Sequence, residues 1–266
     1  MLLEPDDCNW GSPASSLSLS VQDVHLWQAN VALPKDLIQQ LGEILSTDEW
    51  QRAQRFHFER DRGRFIAGRG ILRTILSRYL AIAPSQIEFC YGPQGKPALS
   101  NSCGDSSLCF NLSHSGDRAL YAITRDRQIG VDIEQLREIN AEQLAQRFFS
   151  PQESAVINSL SPQQKKTGFF QLWTCKEAVL KAIGKGIAGL EQVELRLGIE
   201  EPTRLIRLDG ESLSIDKWSI QQFSPAPEYT ACLAAEGNDL DISFLRFPVN
   251  YLRLLINFKE GDGKSS

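Results

Sequence analysis

The chain is poor in the residues that usually announce a metal cluster or a disulfide framework. Its six cysteines (Cys8, Cys90, Cys103, Cys109, Cys175, Cys232) contain no CxxC pair, and it has three histidines in 266 residues. A zinc site and a stapled secreted fold are thereby set aside, and the thiols read as reduced, as in a cytoplasm. There is no apolar run of membrane-spanning length, and the opening MLLEPDDCNWGSPASSLSLS carries acid where a secretory leader carries base. A cytoplasmic protein without membrane contact is expected. Positive charge is in deficit as well: 28 Lys and Arg against 33 Asp and Glu leave a net charge of −5. General nucleic-acid binding is therefore not expected, although a local basic patch is compatible with that total. What remains is ordinary globular composition, 42% hydrophobic and 23% charged, on a chain long enough for one large domain or two modest ones.

Hydrophobic spacing predicts a strand in VQDVHLWQANV and a helix in DLIQQLGEILS through Leu37, Leu41, Ile44 and Leu45. Ser46 to Glu49 predicts a cap for the next helix. RFIAGRGILRTILSRYL predicts a long helix, in which Gly68 and Gly70 mark close packing. IEFCYG is strand-like and PQGKP a turn, and LCFNLSHSGDRALYAITRDRQIGVDIEQL reads strand, turn, strand, turn, strand. Ser150-Pro151-Gln152-Glu153 has the chemistry of a helix start, and FFQLWTCKEAVLKAIG forms a further helix with Gly184 just past its end.

The order then recurs. QRFHFERD and RFIAGRGILRTIL are echoed by QRFFSPQE and FFQLWTCKEAVLKAI; IEFCYG and SHSGDRALYAIT are echoed by VELRLG and SPAPEYTACLAA. This predicts two α/β halves of similar build meeting near residues 125 to 135, with chance matching of helix and strand patterns as the alternative.

IGVDIE, residues 129–134, sits at that junction. Alternation puts Asp132 and Glu134 on one face of a strand and Val131 and Ile133 on the other. Two adjacent carboxylates repel unless a cation relieves them, although a wet polar face would also account for the stretch. Trp173, Glu177 and Lys181 lie at i, i+4 and i+8 along one helical stripe. Glu177 and Lys181 fit a surface ion pair, which most pairs at this spacing are, while Glu177 also offers the third carboxylate that the strand pair lacks for a Mg²⁺ site. GKGIAG (184–189) matches GxGxxG but follows a helix, so a helix end and turn is the better account. Ser113 and His114 are neighbours on a strand, point apart and lack a GxSxG context, which argues against a hydrolase pair.

Taken together, GKPAL (95–99), FNLSHSGD (110–117), IGVDIE (129–134), RFFSPQE (147–153) and LWTCKEAVLKAIGKGI (172–187) occur in an order and spacing that resembles the 4′-phosphopantetheinyl transferases, in their larger two-lobed class. The likeness runs from about Leu45 to Ala235. It implies an α/β (α+β) fold of two similar lobes in pseudo-twofold arrangement with the active site between them. The corresponding division is a disordered N-terminal tail at 1–18, an N-terminal lobe at 19–128, a C-terminal lobe with the metal site and carrier docking at 129–250 and a tail at 251–266. The Ser-rich opening and the KEGDGKSS end read as frayed.

The resemblance also implies transfer of 4′-phosphopantetheine from coenzyme A to a serine of an acyl or peptidyl carrier protein, by a monomer that requires Mg²⁺. By position, Asp132, Glu134 and Glu177 match the metal ligands. Lys96, Ser113, His114 and Arg52 match coenzyme A contacts, with His114 and Arg52 at the 3′-phosphate. Lys181 matches a lysine at the pyrophosphate, and Lys176, which flanks it with Trp173, is expected to contact coenzyme A as well. Glu177, Lys181 and Asp132 would carry the catalysis. Where the family commonly has a serine after the motif glutamate, this chain has Ala178. Two rival readings are a non-catalytic coenzyme A or carrier-binding module and a Mg²⁺-dependent nucleotide pyrophosphatase. Because carriers are typically acidic around their serine, docking is expected on a local basic surface at Lys165, Lys166 and Lys185.

Overall fold

The computed structural model describes residues 8–197, 203–209, 215–249 and 251–252. Strand β1 (Asp23–Asn30) is followed by helices α1 (Lys35–Gly42), α2 (Thr47–Ala53) and α3 (Glu59–Leu80), then β2 (Phe89–Tyr91), β3 (Pro97–Leu99), β4 (Leu108–Ser115) and β5 (Arg118–Arg125). The second half opens with β6 (Ile129–Gln135). It continues through α4 (Ala141–Phe148), α5 (Pro151–Ser159), α6 (Pro162–Ala182), β7 (Val193–Arg196), β8 (Arg204–Leu208), β9 (Trp218–Phe223), β10 (Tyr229–Glu236) and β11 (Asp241–Arg246).

The internal likeness is realised as topology. The first sheet contains the order β1-β5-β4, and the second sheet repeats it as β6-β10-β9. Each half also carries a two-stranded side sheet, β2-β3 and β7-β8. The fold is thus mixed α/β with two lobes of one build.

Alternation explains how the layers stack. Val24, Leu26, Leu120 and Ala122 on one face of the first sheet meet Ile129, Val131, Ile133, Ala231 and Leu233 on one face of the second. On the outer face of the first sheet, Trp27, Ala29, Tyr121 and Ile123 pack under α1 and α3. Cys232 and Ala234 on the outer face of the second pack under α6. Three apolar layers result, and Gly130, Asp132 and Glu134 are the residues of β6 turned outward, toward the side that α6 covers. Gly130 allows the closest approach, because a Cβ there would lie 2.0 Å from the Ala178 carbonyl oxygen and 2.4 Å from the Ala182 nitrogen of α6. Gly70 plays the equivalent part in the first lobe, where a Cβ would lie 2.7 Å from Leu41 of α1.

The expected caps are present. Ser46 and Glu49 form a capping box on α2, as do Ser150 and Glu153 on α5, and Gly184 turns left-handed at φ +71° just past α6. Helix α1 stops at Gly42, so Ile44 and Leu45 lie in the turn before Ser46, where no helical register has to hold them.

The lobe boundaries need two corrections. β11 returns to the first sheet and pairs in parallel with β1, so residues 241–246 belong structurally to the N-terminal lobe. The tails are also less frayed than composition implies. Gly11 bridges to Leu245, Trp10 packs edge-on against Phe244, and Leu19 is buried in the first core. Leu252 is buried in that core too; residues 1–7 and 253–266 lie outside the described residues. Among the described residues no helix is long and apolar enough to cross a membrane.

Candidate active site

Strand β4 is an edge of the first sheet and β6 an edge of the second, and the two edges run side by side. Backbone groups at such an edge need partners. Every second residue of β4 reaches across to β6, two of them to its backbone and two to its carboxylates. Asn111 Oδ1 accepts from Val131 N (2.9 Å), Ser113 Oγ donates to Asp132 Oδ1 (2.8 Å), and Ser115 Oγ donates to Glu134 Oε2 (2.9 Å) while accepting from Gln135 N (3.1 Å). The N-x-S-x-S spacing of FNLSHS is therefore the inter-lobe zipper, and it places both IGVDIE carboxylates.

Asp132 is nearly enclosed, at 4% exposure. Lys181 reaches it from α6, with Nζ 2.6 Å from Asp132 Oδ1 and 2.8 Å from Ser113 Oγ. The stripe on α6 is thus no simple surface pair, because Lys181 bridges to the other element instead of to Glu177. Glu177 Oε1 and Asp132 Oδ2 are both buried without a hydrogen-bond partner. Burial raises the Glu177 carboxyl above its ordinary value, and the Asp132 charge raises it further, with Lys181 opposing. Glu134 is held by Ser115 and by Arg137 at 3.0 Å.

Three acidic side chains thus converge, and two of their oxygens lack partners. Among the described residues no group of three or more His, Cys, Asp or Glu is arranged to hold a metal ion as it stands. Lys181 already neutralises Asp132 Oδ1. The donor set is all oxygen, which fits a hard divalent ion in preference to zinc.

From Lys181 and Ser113 a cavity of about 280 Å³ extends along α3, lined also by His114, Leu112, Arg52, Phe65, Arg69 and Tyr91. Arg52 lies over the Tyr91 ring at 5.1 Å. His114 keeps an edge open to solvent at the cavity mouth, yet surrounding protein pushes its imidazole below the ordinary value, helped by the Lys181 and Arg64 cations and opposed by Asp132. Arg64 is fixed there by an ion pair to Asp117 at the β4–β5 turn.

Arg69 and Tyr91 line the cavity and Arg64 lies near His114, and no sequence motif marks any of the three. Arg69 is aimed by Glu49 (2.5 Å), which also holds Arg73 (2.7 Å), and Arg69 donates to Tyr91 Oη at 3.1 Å. Burial drives Glu49 upward, but Arg69 and Arg73 more than reverse this and its carboxyl sits low. The alternation of β4 could have pointed to Ser115. Nothing in the helical pattern marks Arg69, whose neighbours Gly68 and Gly70 conceal a cavity wall.

Two of the expected coenzyme A contacts are placed otherwise. Lys176 is buried at 1% exposure. Its ammonium bonds Glu153 at 2.7 and 3.0 Å and the Val193 carbonyl at 2.5 Å, on the side of α6 away from Asp132. A helix turns 100° per residue, so Lys176 and Glu177 cannot share a face, and Lys176 joins α5 to β7 instead. Lys96 donates to the carbonyls of Ile129 (3.1 Å) and Ala182 (2.8 Å), and burial lowers it to about 8. It lines a separate cavity of about 450 Å³ with Cys109 and Arg127. Trp173 packs edge-on against Phe148 and stacks on Phe169, so it braces α6 on α4. The expected docking lysines are occupied as well. Lys165 pairs with Glu142, Lys166 with Glu138 at 2.5 Å, and Lys185 with Gln192 at 2.9 Å.

Comparison with known proteins identifies the family. A family model described as the 4′-phosphopantetheinyl transferase superfamily matches residues 128–234, and one described as the 4′-phosphopantetheinyl transferase N-terminal region matches residues 32–125. The 4′-phosphopantetheinyl transferase HetI of Nostoc sp. (strain PCC 7120) is 44% identical over 229 residues, covering 86% of this chain and 94% of that protein. The 4′-phosphopantetheinyl transferase psf-1 of Bacillus pumilus is 34% identical, over 72% of this chain and 79% of its own. Sfp of Bacillus subtilis (strain 168) is 30% identical, over 58% and 67%.

Proposed function

Because the chain belongs to the 4′-phosphopantetheinyl transferase superfamily, we propose that it transfers 4′-phosphopantetheine from coenzyme A to a serine of an acyl or peptidyl carrier protein. The observation that carries this reading is the continuity of the site. A cavity walled by Arg52, Arg69 and His114 ends at Lys181 and Ser113, which both bond Asp132, and the Asp132 and Lys181 charges act in turn on Glu177, one of whose oxygens is buried without a partner. A polyphosphate lying along it would have cations at one end and carboxylates at the other, an arrangement that calls for a bound cation between them.

In the reaction the serine oxygen attacks the phosphorus that bears pantetheine. The bond from that phosphorus to the bridging oxygen breaks, and adenosine 3′,5′-bisphosphate leaves with the electron pair. Lys181, turned from Asp132 toward the pyrophosphate, stabilises the charge that develops on its oxygens. Glu177 accepts the serine proton, directly or through a water molecule, and its raised carboxyl value suits that role better than an ordinary surface glutamate would. Asp132, Glu134 and Glu177 are the residues that would hold Mg²⁺. The ion, when bound, supplies Lewis-acid charge neutralisation on the pyrophosphate. Arg52, Arg69 and His114 bind the adenosine 3′-phosphate end and so fix the donor's register.

Mass spectrometry of several apo carrier proteins after incubation with coenzyme A, Mg²⁺ and the protein tests the reading. One added phosphopantetheine on the carrier serine is expected. Free 4′-phosphopantetheine released without any carrier would make the protein a hydrolase. Tight coenzyme A binding with no product of either kind would make it a binding module.

A further inference from the structure

The first-lobe segment from the last turn of α2 to the first turn of α3, residues 51–60, is exposed at every position except Ala53. Three of the eight large hydrophobic side chains exposed among the described residues fall within nine residues here: Trp50 at 42%, Phe56 at 37% and Phe58 at 63%. Isolated exposed apolar residues are commonplace, but a group of aromatics is not. The same stretch is basic. Along residues 51–64 the arginines at 52, 55, 60, 62 and 64 stand against Glu59 and Asp61, a local sequence excess of three positive charges on a chain whose net charge is −5, although Arg64 is also paired with Asp117. Among the described residues Arg55 makes no ion pair, while Arg60 pairs only with its neighbour Asp61.

Position gives the patch meaning. Phe56 packs on Phe65 with ring centroids 5.3 Å apart, and Phe65 and Arg52 line the active-site cavity, so the ridge is the outer continuation of the cavity wall. By contrast Lys165 and Lys166 are consumed by Glu142 and Glu138. We infer that this ridge, with Arg55, Phe56, Phe58 and Arg60 as its contact residues, is the docking surface for the acidic helical face of the carrier protein. The inference rests on the transferase reading above. A net acidic enzyme repels an acidic carrier at long range, and a basic strip on the outer wall of the cavity offsets that repulsion locally. The aromatic side chains supply apolar anchors that charge alone does not.

The test uses the full chain with an apo carrier and coenzyme A. Arg55→Glu/Arg60→Glu and, separately, Phe58→Ser are compared with a Lys165→Glu/Lys166→Glu control, each checked for wild-type melting. The apparent KM for carrier should rise on the order of tenfold or more in the ridge variants, with the KM for coenzyme A unchanged. The wild-type kcat/KM for carrier should also fall with added salt, and this slope should flatten in the arginine variant. Unaltered carrier KM in both ridge variants overturns the proposal. An equal rise for both substrates overturns it too, since it assigns the ridge to coenzyme A. A wild type that modifies no carrier while binding coenzyme A is a different failure, that of the transferase reading itself.

Discussion

Gly130→Ala adds one methyl group between a strand and a helix, and the structure says why that is not a mild change. The new Cβ would stand 2.0 Å from the Ala178 carbonyl oxygen and 2.4 Å from the Ala182 nitrogen, both backbone atoms of α6. Ordinary contact begins at 3.4 Å, so strand and helix must part by about 1.4 Å along the shorter line (3.4 less 2.0). No rotamer change or side-chain truncation relieves a clash with backbone. Overpacking of this kind costs about 1–3 kcal/mol, which for a chain of this size lowers Tm by roughly 2–12 °C. Function should suffer more. Glu177 and Lys181 flank the displaced turn, and a misplacement near 1 Å costs on the order of a hundredfold in rate. The assay is thermal melting by circular dichroism beside carrier modification, measured well below the variant's Tm. A variant that melts and turns over like the wild type would mean that β6 and α6 do not touch at Gly130. A lowered Tm with undiminished turnover would detach the position of α6 from the chemistry.

Asp132→Asn should stay folded, because it keeps the side-chain volume, and should lose transfer at every Mg²⁺ concentration; near-normal rates would end the assignment of a metal ligand. Lys176→Met breaks a buried pair and should cost about 3–5 kcal/mol without changing the KM for coenzyme A; a large KM change at unaltered Tm would return Lys176 to the substrate site. His114 sits below its ordinary value, so its empty-site contribution to stability is present above the unfolded value of 6.5 and is lost as pH falls. A bound 3′-phosphate reverses the sign, so coenzyme A binding should take up a proton near neutral pH. Calorimetry in two buffers of different ionisation enthalpy reads that uptake, and it should vanish in His114→Ala and with dephospho-coenzyme A. Uptake that persists in His114→Ala would place the histidine away from the phosphate.

Much of the site is legible in the amino-acid order because its signals are local. Alternation along IGVDIE puts Asp132 and Glu134 on one face, and helical spacing puts Glu177 and Lys181 on one stripe. Period is a property of backbone geometry and survives any tertiary arrangement. The repeat of strand and helix patterns likewise carries the two-lobed build, which the structure realises as the matching strand orders β1-β5-β4 and β6-β10-β9.

Tertiary structure decided what each polar side chain faces. Lys176 and Lys181 are five residues apart on one helix. One is buried against Glu153 and Val193, and the other bridges Asp132 and Ser113 across the lobe interface. Periodicity assigns a face to each but not the neighbour on it. Arg69 is visible only once Glu49, twenty residues away, holds it against the cavity. β11 is the other case. Its residues are compatible with a strand, but pairing with β1 across the whole chain is a long-range choice made by the open edge of the first sheet. A sequence specifies periods and local caps directly, whereas partners distant along the chain are fixed only when the layers pack and each buried charge must find its counterpart.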